Sequence, residues 1–216
     1  MTGSFDEQAA AGYEAWYATP EGERADRLEK AVLRRLLERF SGGETILEVG
    51  CGTGHFTRWL GQAGWSAVGL DLSGSMLKHA EALDGVSLVR GDALRLPFAD
   101  GAFDVAAMVT TLEFLDRPGA GLVEALRVAR HGVLLGVLNR CSLLAARRRL
   151  NGLFRATIYD QARFYTVGDL KRLLRSNSEN DSQIAWLTTL FPDWWPWPDE
   201  RLPWGGFAVV ALQTPD

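Results

Sequence analysis

The sequence predicts an α/β fold built on a doubly wound, mostly parallel sheet with helices on both faces. Two observations carry that expectation. From about residue 45 to residue 138, short and nearly continuous apolar runs alternate with segments of helical period, the pattern of parallel strands buried on both sides. The first run, Ile46-Leu47-Glu48-Val49, breaks directly into Gly50-Cys51-Gly52-Thr53-Gly54. Alternating glycines at the end of a strand suit a turn where a ligand meets bare backbone.

Each element has its own signal. Residues 22 to 40 place Leu28, Val32, Leu36 and Phe40 at helical spacing, and Ser41-Gly42-Gly43 ends the run. Strand one covers about 45 to 50. The helix that starts near Gly54 carries Phe56, Trp59 and Leu60 on one face. After Gly64 comes strand two, 65 to 71, and Ser73 reads as the N-cap of a helix to about residue 83. Strands three and four fall at 86 to 89 and 103 to 109, separated from strand five at 132 to 138 by a helix over 119 to 130. Thr166-x-x-Asp169 resembles a capping box for a helix over 167 to 175. Strands at 183 to 190 and 207 to 214 close the chain as an antiparallel pair at one edge, joined by a Trp- and Pro-rich loop. Residues 140 to 165 are basic and aromatic and fit no single pattern.

Composition bounds the function. The chain has 216 residues, 47 % of them hydrophobic, enough for one core and one domain. With 23 basic against 27 acidic residues it lacks the basic excess of a protein that follows phosphate backbones, so no nucleic-acid partner is expected. Cys51 and Cys141 make no disulfide framework, and with His55, His79 and His131 they show no metal-ligand spacing, so no metal is expected. No apolar stretch approaches the roughly 20 residues of a membrane span, which predicts no stable membrane insertion. The first residues carry no basic head followed by an apolar core, so they do not read as a signal peptide. The expected setting is cytoplasmic.

Three strand ends carry the chemistry. The glycine turn is the first; its plainer reading is a tight strand–helix turn with no ligand. Asp71 ends strand two, 17 residues after Gly54. A carboxylate there can accept two hydrogen bonds from a ribose diol, or it can serve as a helix cap. Gly91-Asp92-Ala93 follows strand three, where a carboxylate can accept from an exocyclic amine, or simply shape a turn. The three coincide at successive strand ends, at which doubly wound sheets bind ligands.

The residues Glu48-Val49-Gly50-Cys51-Gly52-Thr53-Gly54, Gly69-Leu70-Asp71-Leu72-Ser73, Gly91-Asp92-Ala93 and Leu96-Pro97-Phe98-Ala99-Asp100-Gly101-Ala102-Phe103-Asp104-Val105, in this order and spacing, resemble the class I S-adenosylmethionine-dependent methyltransferases. The likeness is greatest to the type-11 group that includes the ubiquinone and menaquinone biosynthesis methyltransferases, and it covers about residues 44 to 140. Gly12-Tyr13-Glu14-Ala15-Trp16-Tyr17 is also similar to the helix that caps the cofactor in many members.

The resemblance implies a Rossmann-like, seven-stranded sheet of order 3-2-1-4-5-7-6 with the last strand antiparallel. It also implies S-adenosyl-L-methionine as cofactor and a small-molecule methyl acceptor. Gly50, Gly52 and Gly54 would lie along the methionine part, with Glu48 near its ammonium group. Asp71 would hold the ribose, and Leu72 and Met76 would sandwich the adenine. Asp92 would meet the adenine amine and Ala93 its ring, while the backbone at Val109 would border the methionine end. Tyr13 would belong to the cap. The expected organisation is a single domain over 1–216: a helical cap over 1–40, a cofactor-binding core over 44–140, a variable substrate-side segment over 141–182 and a strand pair over 183–216.

Two departures fall on the acceptor side. Leu112-Glu113-Phe114 stands where many relatives carry His-His, and Ser176-Asn177-Ser178-Glu179-Asn180 replaces a usual Gly-Phe. The resemblance therefore carries the cofactor over, and not the acceptor. If a proton must be removed, Glu113 and then His55 are the candidate bases.

Tyr13, Trp16 and Tyr17 share one helical face, either packed on the sheet or closing as a lid over a reactive sulfonium. Arg127, Arg130, Arg140, Arg147, Arg148, Arg149 and Arg155 form solvated helix faces or an anion site, for which Arg140 is best placed. Trp194, Trp195, Trp197 and Trp204 cover the sheet edge, form an association surface or wall an apolar acceptor site. The oligomeric state is open between monomer and homodimer.

Two other functions stay in view. A non-catalytic S-adenosylmethionine- or S-adenosylhomocysteine-binding or regulatory protein would carry the same cofactor residues. A nicotinamide oxidoreductase is disfavoured, because the chain reads G-x-G-x-G and not G-x-G-x-x-G.

Overall fold

A seven-stranded sheet of order β3-β2-β1-β4-β5-β7-β6 organises the chain. The structure, a computed structural model, describes residues 7–40, 42–81, 87–142, 162–178, 182–192 and 200–215. The strands are β1 Thr45–Val49, β2 Ser66–Asp71, β3 Ser87–Arg90, β4 Phe103–Val109, β5 Ala129–Leu138, β6 Gln183–Thr189 and β7 Phe207–Gln213. Strands β1 to β5 run parallel to one another, and β7 lies antiparallel to both β5 and β6. The order and the reversed last strand are those expected from the resemblance.

The described residues hold six helices: α1 Glu7–Tyr17, α2 Pro20–Leu37, α3 His55–Gln62, α4 Gly74–Glu81, α5 Pro118–Val128 and α6 Val167–Arg175. The two-residue period of the strands divides their side chains between two cores. On one face Ile46, Val105, Val109 and Val209 pack with Val32, Leu36, Phe56 and Leu60 of α2 and α3. On the other, Leu47, Val49, Met108 and Val210 pack with Leu122, Ala125, Leu170 and Leu174 of α5 and α6. Burial on both faces is why β4 from Val105 and β5 from Val133 read as continuous apolar runs.

Polar anchors fix the ends of these elements. Asp104 accepts hydrogen bonds from the N–H groups of Glu44 and Thr45, each 2.9 Å, and so ties the start of β1 to the start of β4. Those donors hold its carboxyl low, at about 2. Thr166 and Asp169 form a reciprocal capping box at α6. Ser73 Oγ accepts from the N–H of Met76 at 3.2 Å, the N-cap expected of it.

Several boundaries differ from expectation. Helix α2 starts at Pro20, with Thr19 Oγ1 accepting from the N–H of Gly22 at 3.1 Å, because proline suits the first helical position and threonine caps it. Helix α5 ends at Val128, and β5 begins at Ala129, which pairs with Phe103. Backbone pairing there outruns the apolar run, which Arg130 and His131 interrupt. Ser41, Val86, the arginines at 147, 148, 149 and 155, the tryptophans at 194, 195 and 197, and Glu179-Asn180 lie outside the described residues.

Candidate active site

The carboxyl ends of β1 to β4 meet where the strand order reverses between β1 and β4, the place at which an open α/β sheet leaves a crevice. The turn after β1 is held from beneath: the N–H groups of Gly50 and Cys51 both donate to the carbonyl of Leu70, at 2.6 and 3.0 Å. Gly50, Gly52 and Gly54 have φ of 76°, 55° and 73°, a left-handed backbone that any Cβ would strain. At Gly50 space forbids a side chain as well. A Cβ would sit 2.3 Å from Cγ2 of Thr111, whose hydroxyl donates to the Gly50 carbonyl at 3.2 Å. At Gly52 nothing lies within 4 Å of a Cβ position, so the turn is open on that side.

Asp71 binds the turn to β2. Its Oδ2 accepts the N–H of Gly52 and its Oδ1 the N–H of Ser73, both at 2.8 Å. Burial pushes its pKa up while those two amides, and that of Leu72, pull it back. Next to it Leu72 is 50 % exposed, which for a large apolar side chain is unusual in this chain. Met76 and Ala93 are buried beside the crevice, and Asp92 is exposed, its Oδ1 accepting from the N–H of Leu94 at 2.8 Å.

Glu48 is fully buried beneath the turn and accepts a hydrogen bond from the Thr57 hydroxyl of α3. Burial pushes its pKa to about 8, so near neutrality it is largely the uncharged acid. Cys51 is buried too, and burial pushes its thiol up, which makes it an inert filler; its sulfur would lie 2.8 Å from a Cβ on Gly69.

At the end of β4 Val109 is buried, and Thr110 takes a left-handed φ of 50° with its N–H donating to Gly136 at 2.8 Å. Such a conformation in a non-glycine residue concentrates at functional sites. Glu113 follows in the short turn Leu112–Phe114. It is 1 % exposed; Oε1 accepts the N–H of Leu138 at 2.7 Å, and Oε2 has no partner among the described residues. Its carbonyl accepts the N–H of Arg163 at 2.8 Å, and burial pushes its carboxyl to about 7.

His55 opens α3, but its Nε2 lies 2.6 Å from Oδ1 of Asp26 in α2, and its ring stacks on Tyr17 of α1 at 3.8 Å between centroids. Tyr13 shares a hydroxyl–hydroxyl bond of 3.2 Å with Tyr17. The structure thus gathers the glycine turn, Asp71, Leu72, Met76, Asp92, Ala93 and Val109 at one end of the sheet. His55 is placed between three helices and Glu113 beneath the end of β5.

Sequence reading passed over Thr111, which closes the turn, and over Glu14, Thr53 and Arg58, which join α1 to it. The arginine cluster has ordinary partners among its described members. Arg127 is bound by Glu124, by Asp100 and by the carbonyls of Leu96 and Phe98, and Arg140 lies 3.1 Å from Asp169. Trp204 packs edge-on against Phe191. Among the described residues no three His, Cys, Asp or Glu side chains converge as a metal site would need, and no helix is long and apolar enough to cross a membrane.

A glycine-turned, doubly wound sheet with an acidic residue at the end of its second strand and a reversed last strand is the class I methyltransferase architecture. The family model described as "Methyltransferase domain" matches residues 47–137. A demethylmenaquinone methyltransferase of Mycolicibacterium vanbaalenii is 33 % identical over 175 residues, 81 % of this chain and 70 % of that protein. The chain belongs to the S-adenosylmethionine-dependent methyltransferase family. An uncharacterized Mycobacterium tuberculosis protein is 35 % identical over 167 residues, 76 % of this chain; the chain spans 56 % of the length of that relative. Among solved structures, a Thermotoga maritima methyltransferase described as a possible histamine N-methyltransferase superposes with a TM-score of 0.76 at 26 % identity, over all of both chains.

Proposed function

We propose that this chain transfers the methyl group of S-adenosyl-L-methionine to a small-molecule acceptor. The observation that carries the reading is the placement of three groups at successive strand ends: the open glycine turn, Asp71 and Asp92, with the exposed Leu72 beside them. The cofactor supplies an electrophilic methyl on a sulfonium. When bound, it would offer that methyl to an oxygen, nitrogen or carbon of the acceptor, leaving the S–C electron pair on sulfur and a proton to be lost by the acceptor.

In this reading Gly50, Gly52 and Gly54 follow the methionine part. Asp71 turns its remaining lone pairs to the ribose, and a carboxylate that already accepts two amides is rigid enough to orient a diol. Leu72 and Met76 hold the adenine, Asp92 accepts from its amine, Ala93 touches its ring, and Val109 borders the methionine end. Glu48, uncharged near neutrality, supports the turn and would meet the ammonium group as a hydrogen-bond acceptor. Tyr13 belongs to the cap. Glu113 and His55 keep their places as candidate bases, though both are engaged: Glu113 by Leu138 and His55 by Asp26. Catalysis would then rest chiefly on alignment and exclusion of water. The regions 1–40, 44–140, 141–182 and 183–216 act as one domain, and the low cysteine content suits a reducing cytoplasm.

Calorimetry with S-adenosylmethionine and with NAD tests the reading. Binding of the first and not the second is expected; the reverse would overturn it. Incubation with methyl-labelled cofactor and a metabolite extract then identifies the acceptor by the label it gains. Binding without any label transfer across a broad panel would favour a non-catalytic role.

A further inference from the structure

Helix α1 is joined to the glycine turn through one residue. Glu14 Oε1 accepts a hydrogen bond from the hydroxyl of Thr53, the residue between Gly52 and Gly54. Arg58, one turn into α3, donates through Nη1 to the carbonyl of Thr53 at 2.9 Å and places Nη2 3.6 Å from the same Glu14 oxygen. Thr53 is fully buried, held at its hydroxyl by α1 and at its carbonyl by α3.

One helical turn further along α1, Tyr17 stacks on His55, the residue directly after Gly54, and Asp26 of α2 holds the Nε2 of that imidazole. The N-terminal helices therefore touch both ends of the segment 53–55. Helix α1 spans 11 residues, below the length at which a helix persists alone in water, so its order depends on these contacts. The turn, in turn, leans on α1: two of its amides are taken by Asp71 and by the Cys51 carbonyl, and neither fixes the Thr53 side chain.

We propose that Glu14 is a positioning residue that couples the docking of α1 to the shape of the glycine turn, so that ligand affinity at the turn and the order of α1 form one linked equilibrium. The proposal rests on the methyltransferase reading for the identity of the ligand only. Linkage is reciprocal: whatever fills the turn tightens α1, and loosening α1 weakens the ligand by the same factor.

Calorimetry with S-adenosylhomocysteine and hydrogen exchange on the full chain test it. Glu14→Ala is expected to weaken binding about tenfold, the size of one hydrogen bond to a charged group. Thr53→Val is expected to do the same, and the double variant to lose no more than either single one, because both remove one interaction. Glu14→Gln keeps a carbonyl oxygen for the Thr53 hydroxyl and should recover most of the affinity. Alanine is the better helix former, so a loss cannot come from helix propensity. In Glu14→Ala the amides of residues 7–17 should exchange faster with or without ligand, while those of β4 and β5 stay as in the parent chain. Parent-like affinity in Glu14→Ala, additive losses, or exchange that rises equally through the sheet would overturn the proposal. If the parent chain fails to bind S-adenosylhomocysteine, the methyltransferase reading falls, and the exchange pattern still decides the role of Glu14.

Discussion

Asp71 Oδ2 accepts the N–H of Gly52 at 2.8 Å, so the side chain at the end of β2 sets the shape of the turn at the end of β1. Its other oxygen caps the segment leading into α4 through Ser73. One carboxylate therefore has a structural task and, in the proposed function, a ribose to hold.

Asp71→Ala is expected to lower S-adenosylmethionine affinity by more than about tenfold, since it removes the ribose acceptor and frees the turn. It should also cost stability, of order 1–3 kcal/mol, because two part-buried amides lose their acceptor. Asp71→Asn keeps one acceptor oxygen and should fall between. Calorimetry and urea titration on the three chains read both effects. Undiminished affinity in the alanine variant would leave Asp71 as a cap alone.

Gly50 and Gly52 separate steric from conformational cost. Gly50→Ala would drive a Cβ into Thr111 in a left-handed backbone and should destabilise by about 2–5 kcal/mol, strain plus overpacking. Gly52→Ala meets nothing within 4 Å and should cost only about 1–2 kcal/mol of strain. Its Cβ points into open space at the turn, so this chain should fold yet bind cofactor poorly. Full affinity in folded Gly52→Ala would move the ligand away from this turn.

How far the sequence carries these relationships depends on their range. Strands β1 to β5 were legible because burial on both faces removes polar alternation, and the glycine turn because its spacing is local. Strand order was not readable from pattern, since it is set by pairing between distant segments; it came through the resemblance. The start of α2 has a local signature in Thr19-Pro20, a cap and a first-turn proline that precede the apolar period. Contacts such as Glu14 with Thr53, 39 positions apart, have no local signature. The arginines looked like a basic patch because their partners, Glu124, Asp100 and Asp169, are matched to them only by folding.

Leu72 offers a test in which stability and binding part company. A leucine half exposed beside the crevice gives the fold little, so Leu72→Ser should leave the melting temperature unchanged within error. If adenine covers this side chain, the substitution removes roughly 1 kcal/mol or more of apolar contact and weakens cofactor binding about fivefold to tenfold. Calorimetry beside a thermal melt reads the split. Equal affinity in the two chains would take the adenine off Leu72.

Glu113 should make stability fall as pH rises. Its carboxyl titrates at about 7 in the folded chain against an ordinary 4.5, because burial opposes the charge and Oε2 has no partner among the described residues. Between those values the folded chain holds a proton that the unfolded chain has released, so the stabilisation present below pH 4.5 is lost progressively up to about 7. Glu48 moves in the same direction up to about 8, so the parent chain shows both. Glu113→Gln cannot ionise and keeps an oxygen for the Leu138 amide, which removes one of the two contributions. Relative to the parent, it should therefore gain roughly 2–3 kcal/mol between pH 4.5 and pH 8, at about 1.4 kcal/mol per pKa unit. Urea unfolding of both chains across that range measures the difference. A flat difference would mean that Glu113 titrates as an exposed carboxylate does, and that its second oxygen has a partner in solution.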